Sequence, residues 1–258
     1  MKNLISILLI LAIASCKKEE FNPNLTKEFS IHSKEAGADY TIKVAIPENY
    51  NPQIQKYSAI YVLDGEENFT LVSEKTKKAS SDVLVVSIGY GNDRTVDYTP
   101  SKADEGEGGA ENFMRFIANE LLPRMENEFG ADTSRKNRTI LGHSFGGLLG
   151  AYAFTNHNDV FGNYILLSPS LWYDNEILLK FEGQNRNFNK SNHQLVFMGL
   201  GETESSGRML APYIAFYQRL RDNYPDMEIK NHLVPHMDHV GSKNPNIEAG
   251  LNFYFQNR

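Results

Sequence analysis

The sequence predicts an α/β fold: a mainly parallel central sheet with an antiparallel N-terminal hairpin and helices on both faces. Three observations predict it. Near-continuous apolar runs of strand length, at 57–63 and 83–88, suit central strands covered on both faces. Segments with helical spacing alternate with such runs along the chain. The stretch Thr139-Ile140-Leu141-Gly142-His143-Ser144-Phe145-Gly146-Gly147-Leu148 joins an apolar run to a small-residue helix through a sharp turn.

Residues 1–15 read as a signal peptide rather than as part of the fold. Lys2 supplies a positive start, and the apolar run 4–13 is too short for a spanning helix. Leu11-Ala12-Ile13-Ala14-Ser15-Cys16 resembles the lipobox of bacterial lipoproteins. That resemblance implies cleavage before Cys16, lipid on its sulfur, and a membrane-anchored place in the bacterial cell envelope. The alternative is an ordinary secretory signal with an incidental cysteine. Cys16 is the only cysteine, so no disulfide forms within the chain. Residues 16–27, with Lys17-Lys18-Glu19-Glu20 and then Asn and Pro, read as a solvated tether. The folded domain is 28–258.

Within it, 29–32 and the alternating run 40–46 predict an antiparallel hairpin, closed off by Pro47, Asn49, Asn51 and Pro52. Strands at 57–63, 83–88, 138–143, 164–167, 195–198 and 229–234 continue the sheet. Phe113, Phe116, Ile117, Leu121, Met125 and Phe129 fall at helical spacing; Gly130 closes that helix and Pro123 kinks it. Residues 209–224 and 247–255 predict two more helices. Segments 101–111 and 183–192 read as loops on composition, either of which could border a cleft. The aromatic and Met stripes read as core, with no cofactor expected. A net charge of −6 disfavours nonspecific nucleic-acid binding, which needs a basic face.

Gly142-His143-Ser144-Phe145-Gly146 is the nucleophile-elbow pattern. A side chain on either outer position would strike neighbouring backbone, so glycine is required there. Ser144 then stands exposed at a helix N-terminus, where a developing anion is favoured. A serine hydroxyl needs a base, and the base needs a carboxylate. In this fold order the acid follows the serine and the histidine comes last. His236 and His239 lie just past the 229–234 strand; His239 is preferred because a turn and Gly241 follow it, and His236 then lines the pocket or caps a helix. The spacing His-x-x-Asp-His also admits a metal site, which no further ligand cluster supports. The acid is expected just past 195–198: Glu202 first, Glu204 in reserve, Asp226 third. The oxyanion donors are expected from the N–H of Phe145 and from Gly65 or Glu66 after Leu63-Asp64.

Val62-Leu63-Asp64-Gly65, Arg94 to Pro100, Gly108-Gly109-Ala110, Glu120-Leu121-Leu122-Pro123, Gly142 to Gly147 and Ser168-Pro169-Ser170-Leu171-Trp172 occur in that order. Together they resemble the putative-esterase family of α/β hydrolases, over roughly 28–256. The siderophore trilactone esterase branch is the most similar, through Ser168 to Trp172 and the Gly199-x-x-Glu202 spacing. The resemblance implies an α/β-hydrolase fold, a triad of Ser144, Glu202 and His239, and a small-molecule or glycan ester as substrate. Two features depart from that branch: Tyr173 stands where a second tryptophan is frequent, and Arg94 and Arg208 are the few arginines available for an anionic siderophore. Arg94 and Asp97 are expected either to shape the pocket wall or to form a structural ion pair, with Trp172 and His236 also against substrate. An acyltransferase on the same triad and an anchored, non-catalytic binding protein are the competing readings. The number of subunits is left open.

Overall fold

The apolar runs of the expected folded domain become strands in the computed structural model, which describes residues 23–204 and 206–258. The expected signal peptide, Cys16 and most of the tether lie outside the described residues. The chain enters through a 3-10 turn, Pro23–Leu25, and pairing begins at Thr26, two residues before the expected domain start. Strands β1 (Thr26–His32) and β2 (Asp39–Ala45) form the antiparallel hairpin, and β2 pairs antiparallel with β4 (Val83–Ile88). From there the sheet is parallel: β3 (Ser58–Val62) beside β4, then β7 (Arg138–His143), β8 (Asn163–Leu167), β9 (Gln194–Gly201) and β10 (Met227–Val234). The order across the eight strands is β1-β2-β4-β3-β7-β8-β9-β10. The two remaining strands, β5 (Lys102–Ala103) and β6 (Gly106–Glu107), are a small hairpin inside the expected 101–111 loop.

Two cores explain the unbroken apolar runs. Ile60, Val62, Val83, Val85, Ile165, Leu167, Leu195 and Phe197 face α1 (Gly65–Ala79) and α8 (Lys243–Asn257). Their neighbours Tyr61, Leu84, Val86, Tyr164, Leu166, Val196 and Met198 face the opposite, larger core. A strand covered on both sides has no polar face to alternate with. The larger core is built on α3 (Ala110–Phe116), α4 (Leu122–Phe129), α5 (Phe145–Asn156), α6 (Tyr173–Asn189) and α7 (Ala211–Asn223); the four-residue α2 (Arg94–Asp97) lies before them.

The kink expected at Pro123 is a π-helical turn, Ile117–Leu121, between α3 and α4, and Pro123 follows it in the first turn of α4, where the widened turn accommodates its ring and missing N–H. Gly130 closes α4 in the left-handed conformation, at φ 65°. The 183–192 loop expectation is corrected: α6 runs on to Asn189. One of its asparagines, Asn189, serves as a cap. The amide of buried Asn189 donates to the carbonyls of Phe154 and Thr155 near the end of α5. Residues 174–176 near the start of α6 are all left-handed, at φ 45°, 53° and 61°.

Glu182 fastens α6 to α7. Its carboxylate is fully buried and accepts from Arg186 at 2.7 and 2.8 Å and from the Tyr224 hydroxyl at 3.0 Å. Glu182→Ala should cost about 2–3 kcal/mol, below the full cost of breaking a buried pair because Arg186 reaches water. Urea denaturation measures it; an unchanged midpoint would show that the cluster does not hold the two helices.

Candidate active site

The C-terminal ends of the parallel strands share one edge, and the candidate side chains leave the sheet there. Ser144 follows β7 with φ 61° and ψ −117°, a conformation costly to any residue with a side chain. Neighbours over-determine it. Its N–H donates to the Leu167 carbonyl at 2.9 Å, and its carbonyl accepts from Leu148 and Ser170. A Cβ on Gly142 would lie 2.3 Å from the Gly146 carbonyl oxygen, so only glycine fits the turn. Ser144 stands at the N-terminus of α5, its Oγ 3.5 Å from that of Ser170, and Phe145 offers the first helical N–H.

His239 comes from the loop after β10. Its ring lies 4.6 Å, centroid to centroid, from the ring of His143, the residue before Ser144. Its Nδ1 is 2.9 Å from Oε2 of Glu204, whose side chain is only 1% exposed. The expectation of Glu202 as the partner is therefore corrected in favour of the reserve. Glu202 turns outward, where it accepts the His236 N–H at 2.7 Å and lies 3.3 Å from the His236 ring. The cause is a tight turn: Glu204 N–H bonds back to the Gly201 carbonyl and Glu204 Oε1 accepts the Gly201 N–H at 2.6 Å. Two residues after Glu202, the chain has reversed toward the sheet.

Oε1 of Glu204 also accepts from the Ser168 hydroxyl at 2.6 Å and the Ser242 hydroxyl at 3.3 Å. Burial raises this carboxyl, but the hydrogen bonds from His239, Ser168 and Gly201 outweigh it and hold the group below its ordinary range. Asp226 lies elsewhere, before β10, with its carbonyl against His193. His236 carries its side chain 92% exposed, so it is a surface partner of Glu202 and not a wall of the pocket. Among the described residues no group of three or more His, Cys, Asp or Glu could hold a metal; Asp238 instead accepts the Gly241 N–H.

On the other flank, Asp64 is buried in the left-handed conformation just before α1, at φ 50°. A Cβ on Gly146 would lie 3.0 Å from its Oδ2, so the loop leading to Gly65 and Glu66 abuts the elbow. Gly65 itself is required by packing on β4: its Cβ would fall 2.0 Å from Ser87 Oγ. The Glu66 side chain turns away to the Tyr90 N–H at 2.8 Å. Arg94 pairs with Asp64, not with Asp97: its Nη2 donates to Asp64 Oδ2 and to the His143 carbonyl, each at 3.0 Å. Asp97 is instead sealed under Tyr40, whose hydroxyl donates to it at 2.7 Å, and Asn92. Burial lifts the Asp64 carboxyl to about 6 against the pull of Arg94.

Trp172 lies 6.1 Å from Phe145, and the Arg208 guanidinium covers it at 3.6 Å. Arg208 also pairs with Glu105 of the 101–111 segment, and Ser101 donates to Asp174. Sequence reasoning missed Ser168 and Ser242 as donors and Arg94 as the link between two loops. No local spacing announces them, because each partner arrives from a different strand end.

The chain matches the family model described as "Putative esterase" over residues 33–225. It is 29% identical over 218 residues to the ferri-bacillibactin esterase BesA of Bacillus subtilis (strain 168), covering 73% of this chain and 74% of that protein. It is 30% identical over 162 residues to the siderophore triacetylfusarinine C esterase of Aspergillus fumigatus, 55% of each chain, so it spans about half the length of that relative. The crystal structure of the BES protein from Bacillus cereus matches with a TM-score of 0.80 at 28% identity, covering 92% of this chain and 97% of that one.

Removing the Glu204 carboxylate strands four buried or half-buried donors. Glu204→Ala should lose about 2–4 kcal/mol at pH 7, and Glu202→Ala less than about 0.5. The folded carboxyl titrates below its ordinary 4.5, so its contribution is present above that pH and is lost as pH falls through the folded value. The gap between wild type and Glu204→Ala should therefore narrow below about pH 4.5. Denaturant titrations at pH 7 and pH 4 read both effects.

Proposed function

The chain belongs to the Putative esterase family and is a carboxylic ester hydrolase of the serine type, and from that premise we propose that Ser144, His239 and Glu204 are its triad. The observation that carries this reading is the buried Glu204 carboxylate on His239 Nδ1, with the His239 ring packed beside the elbow. Nδ1 carries the proton toward Glu204, which leaves Nε2 as the basic nitrogen. Ser144 Oγ attacks the ester carbonyl carbon while Nε2 takes its proton. The N–H of Phe145, with one from Gly65 or Glu66, receives the oxyanion. Collapse of the tetrahedral intermediate expels the alcohol, protonated by His239, and leaves an acyl-enzyme on Ser144. Water then repeats the sequence and frees the acid.

For the substrate, we propose an ester bearing a flat aromatic or acyl group that packs beside Phe145 and the edge of Trp172, next to the charge of Arg208. Siderophore lactones and acylated glycans both fit. The named activities of the relatives favour siderophores. Anchoring through a lipid on Cys16, at the cell envelope, belongs to the same proposal and rests on the sequence pattern alone.

Ser144→Ala should abolish hydrolysis of a short p-nitrophenyl ester and labelling by a fluorophosphonate. Glu204→Gln should lower kcat by ~10² or more, while Glu202→Gln stays within about threefold. The reverse ranking of the two glutamates would overturn the triad. A panel of trilactone siderophores, acetylated glycans and feruloylated glycans assigns the ester class by kcat/KM.

A further inference from the structure

The elbow residue just before Ser144, His143, makes two separate contacts with His239. Its Nε2 lies 2.9 Å from the backbone carbonyl of His239, and its ring packs at 4.6 Å and 42° against the His239 ring. A carbonyl only accepts, so Nε2 of His143 carries the proton and Nδ1 does not. The strand end that holds His143 is itself fixed, because Arg94 donates to the His143 carbonyl at 3.0 Å. Glu204 cannot supply the same constraint. It sets the rotation of the His239 ring about Nδ1, whereas His143 sets where the backbone beneath that ring sits.

We infer that His143 is a positioning residue: one hydrogen bond and one ring contact from the residue adjoining Ser144 fix the distance between His239 and the nucleophile. The inference rests on the triad proposed above. It places base and nucleophile on a single short path, Ser144 to His143 to His239, so the loop after β10 cannot drift away from the elbow. The ring must stay neutral for this to work, since a second cation would oppose the imidazolium that His239 becomes. The groups facing it are His239 and Glu204 across the site, Lys243 of α8, Glu67 of α1, and Arg94 at its carbonyl. Burial, then His239, holds His143 down to about 4, so it is uncharged at neutral pH.

The test compares wild type with His143→Gln, His143→Asn and His143→Phe, using a p-nitrophenyl ester and the rate of fluorophosphonate labelling, with thermal melting as the folding control. Gln can reach the carbonyl with an amide N–H; Asn is one methylene short; Phe keeps the ring contact without a donor. Phe and Asn should lose at least ~10-fold in kcat and in labelling rate with KM nearly unchanged, and Gln should recover most of both. Wild-type kcat in a folded Phe or Asn variant, or Gln no faster than Asn, overturns the inference. If Phe does not fold, the Gln and Asn pair alone decides. A wild type that neither hydrolyses nor labels sinks the esterase reading instead. Nitrogen-15 spectra distinguish that failure: they should show His143 protonated on Nε2 and neutral near pH 6, and an Nδ1–H tautomer would overturn the positional claim by itself.

Discussion

One buried negative charge organises the sheet edge. A carboxylate taken out of water is costly unless its lone pairs are filled, and Glu204 fills them from four places in the chain. Ser168 arrives from the loop after β8, Gly201 from the end of β9, His239 from the loop after β10, and Ser242 from the residue before α8. None of these segments has a reason of its own to meet the others. The charge supplies the reason, because each donor is worth more to a buried carboxylate than to water. The loops after β9 and β10 are also knitted by backbone: Glu202 N–H to the Val234 carbonyl and Thr203 N–H to the Met237 carbonyl. The imidazole of residue 239 therefore sits on a preassembled frame rather than on a free loop.

The opposite flank uses the same logic with a cation. Arg94 spans Asp64 and the His143 carbonyl, so the loop that opens α1 and the strand that ends in the elbow share one guanidinium. Asp64, Ser144 and Ser168 all adopt positive φ without being glycine. Ser144 and Ser168 directly follow β7 and β8, and Asp64 is the second residue after β3. Such strain persists only where surrounding contacts over-determine it. Here the contacts are the Arg94 bridge, the Leu167 carbonyl on Ser144 N–H, and the Gly199 carbonyl on Ser168 N–H at 2.7 Å. The strain and the buried charges coincide because both are ways of aiming groups at one point above the sheet.

The sheet was largely legible in the sequence, since strands covered on both faces leave long apolar runs, and glycine at 142 and 146 marks a turn no other residue enters. Helix α1 was not legible. Its buried stripe includes Asn68, Ser73 and Thr76 beside Phe69 and Val72, which blurs the apolar period. Helix α6 was not read either: its far half is rich in Asn, one of which, Asn189, is buried to cap α5. In the candidate site, the elbow turn at Ser144 and a histidine on the loop just past β10 were readable from local pattern. The carboxylate was not, because Glu202 and Glu204 differ only in where a tight turn points them, and a turn's direction depends on the long-range partners that receive it. The same holds for Arg94, whose near neighbour Asp97 looked like its mate but is buried under Tyr40 instead.

The fold thus separates two kinds of specification. The groups proposed as the triad are fastened to strand ends by buried charge and by backbone. The wall that would meet the rest of a substrate is fastened differently: Arg208 over Trp172, Arg208 on Glu105, Tyr173 hydroxyl on the Ser101 carbonyl, and Ser101 on Asp174. These contacts join the 101–111 segment to the left-handed turn at 174–176, and the Arg208 pair within them is half exposed. Exposed pairs contribute little to stability. Changes in this wall should therefore alter which ester is held without disturbing the frame that carries the chemistry. Under the proposed triad, one arrangement of Ser144, His239 and Glu204 is compatible with walls suited to different esters.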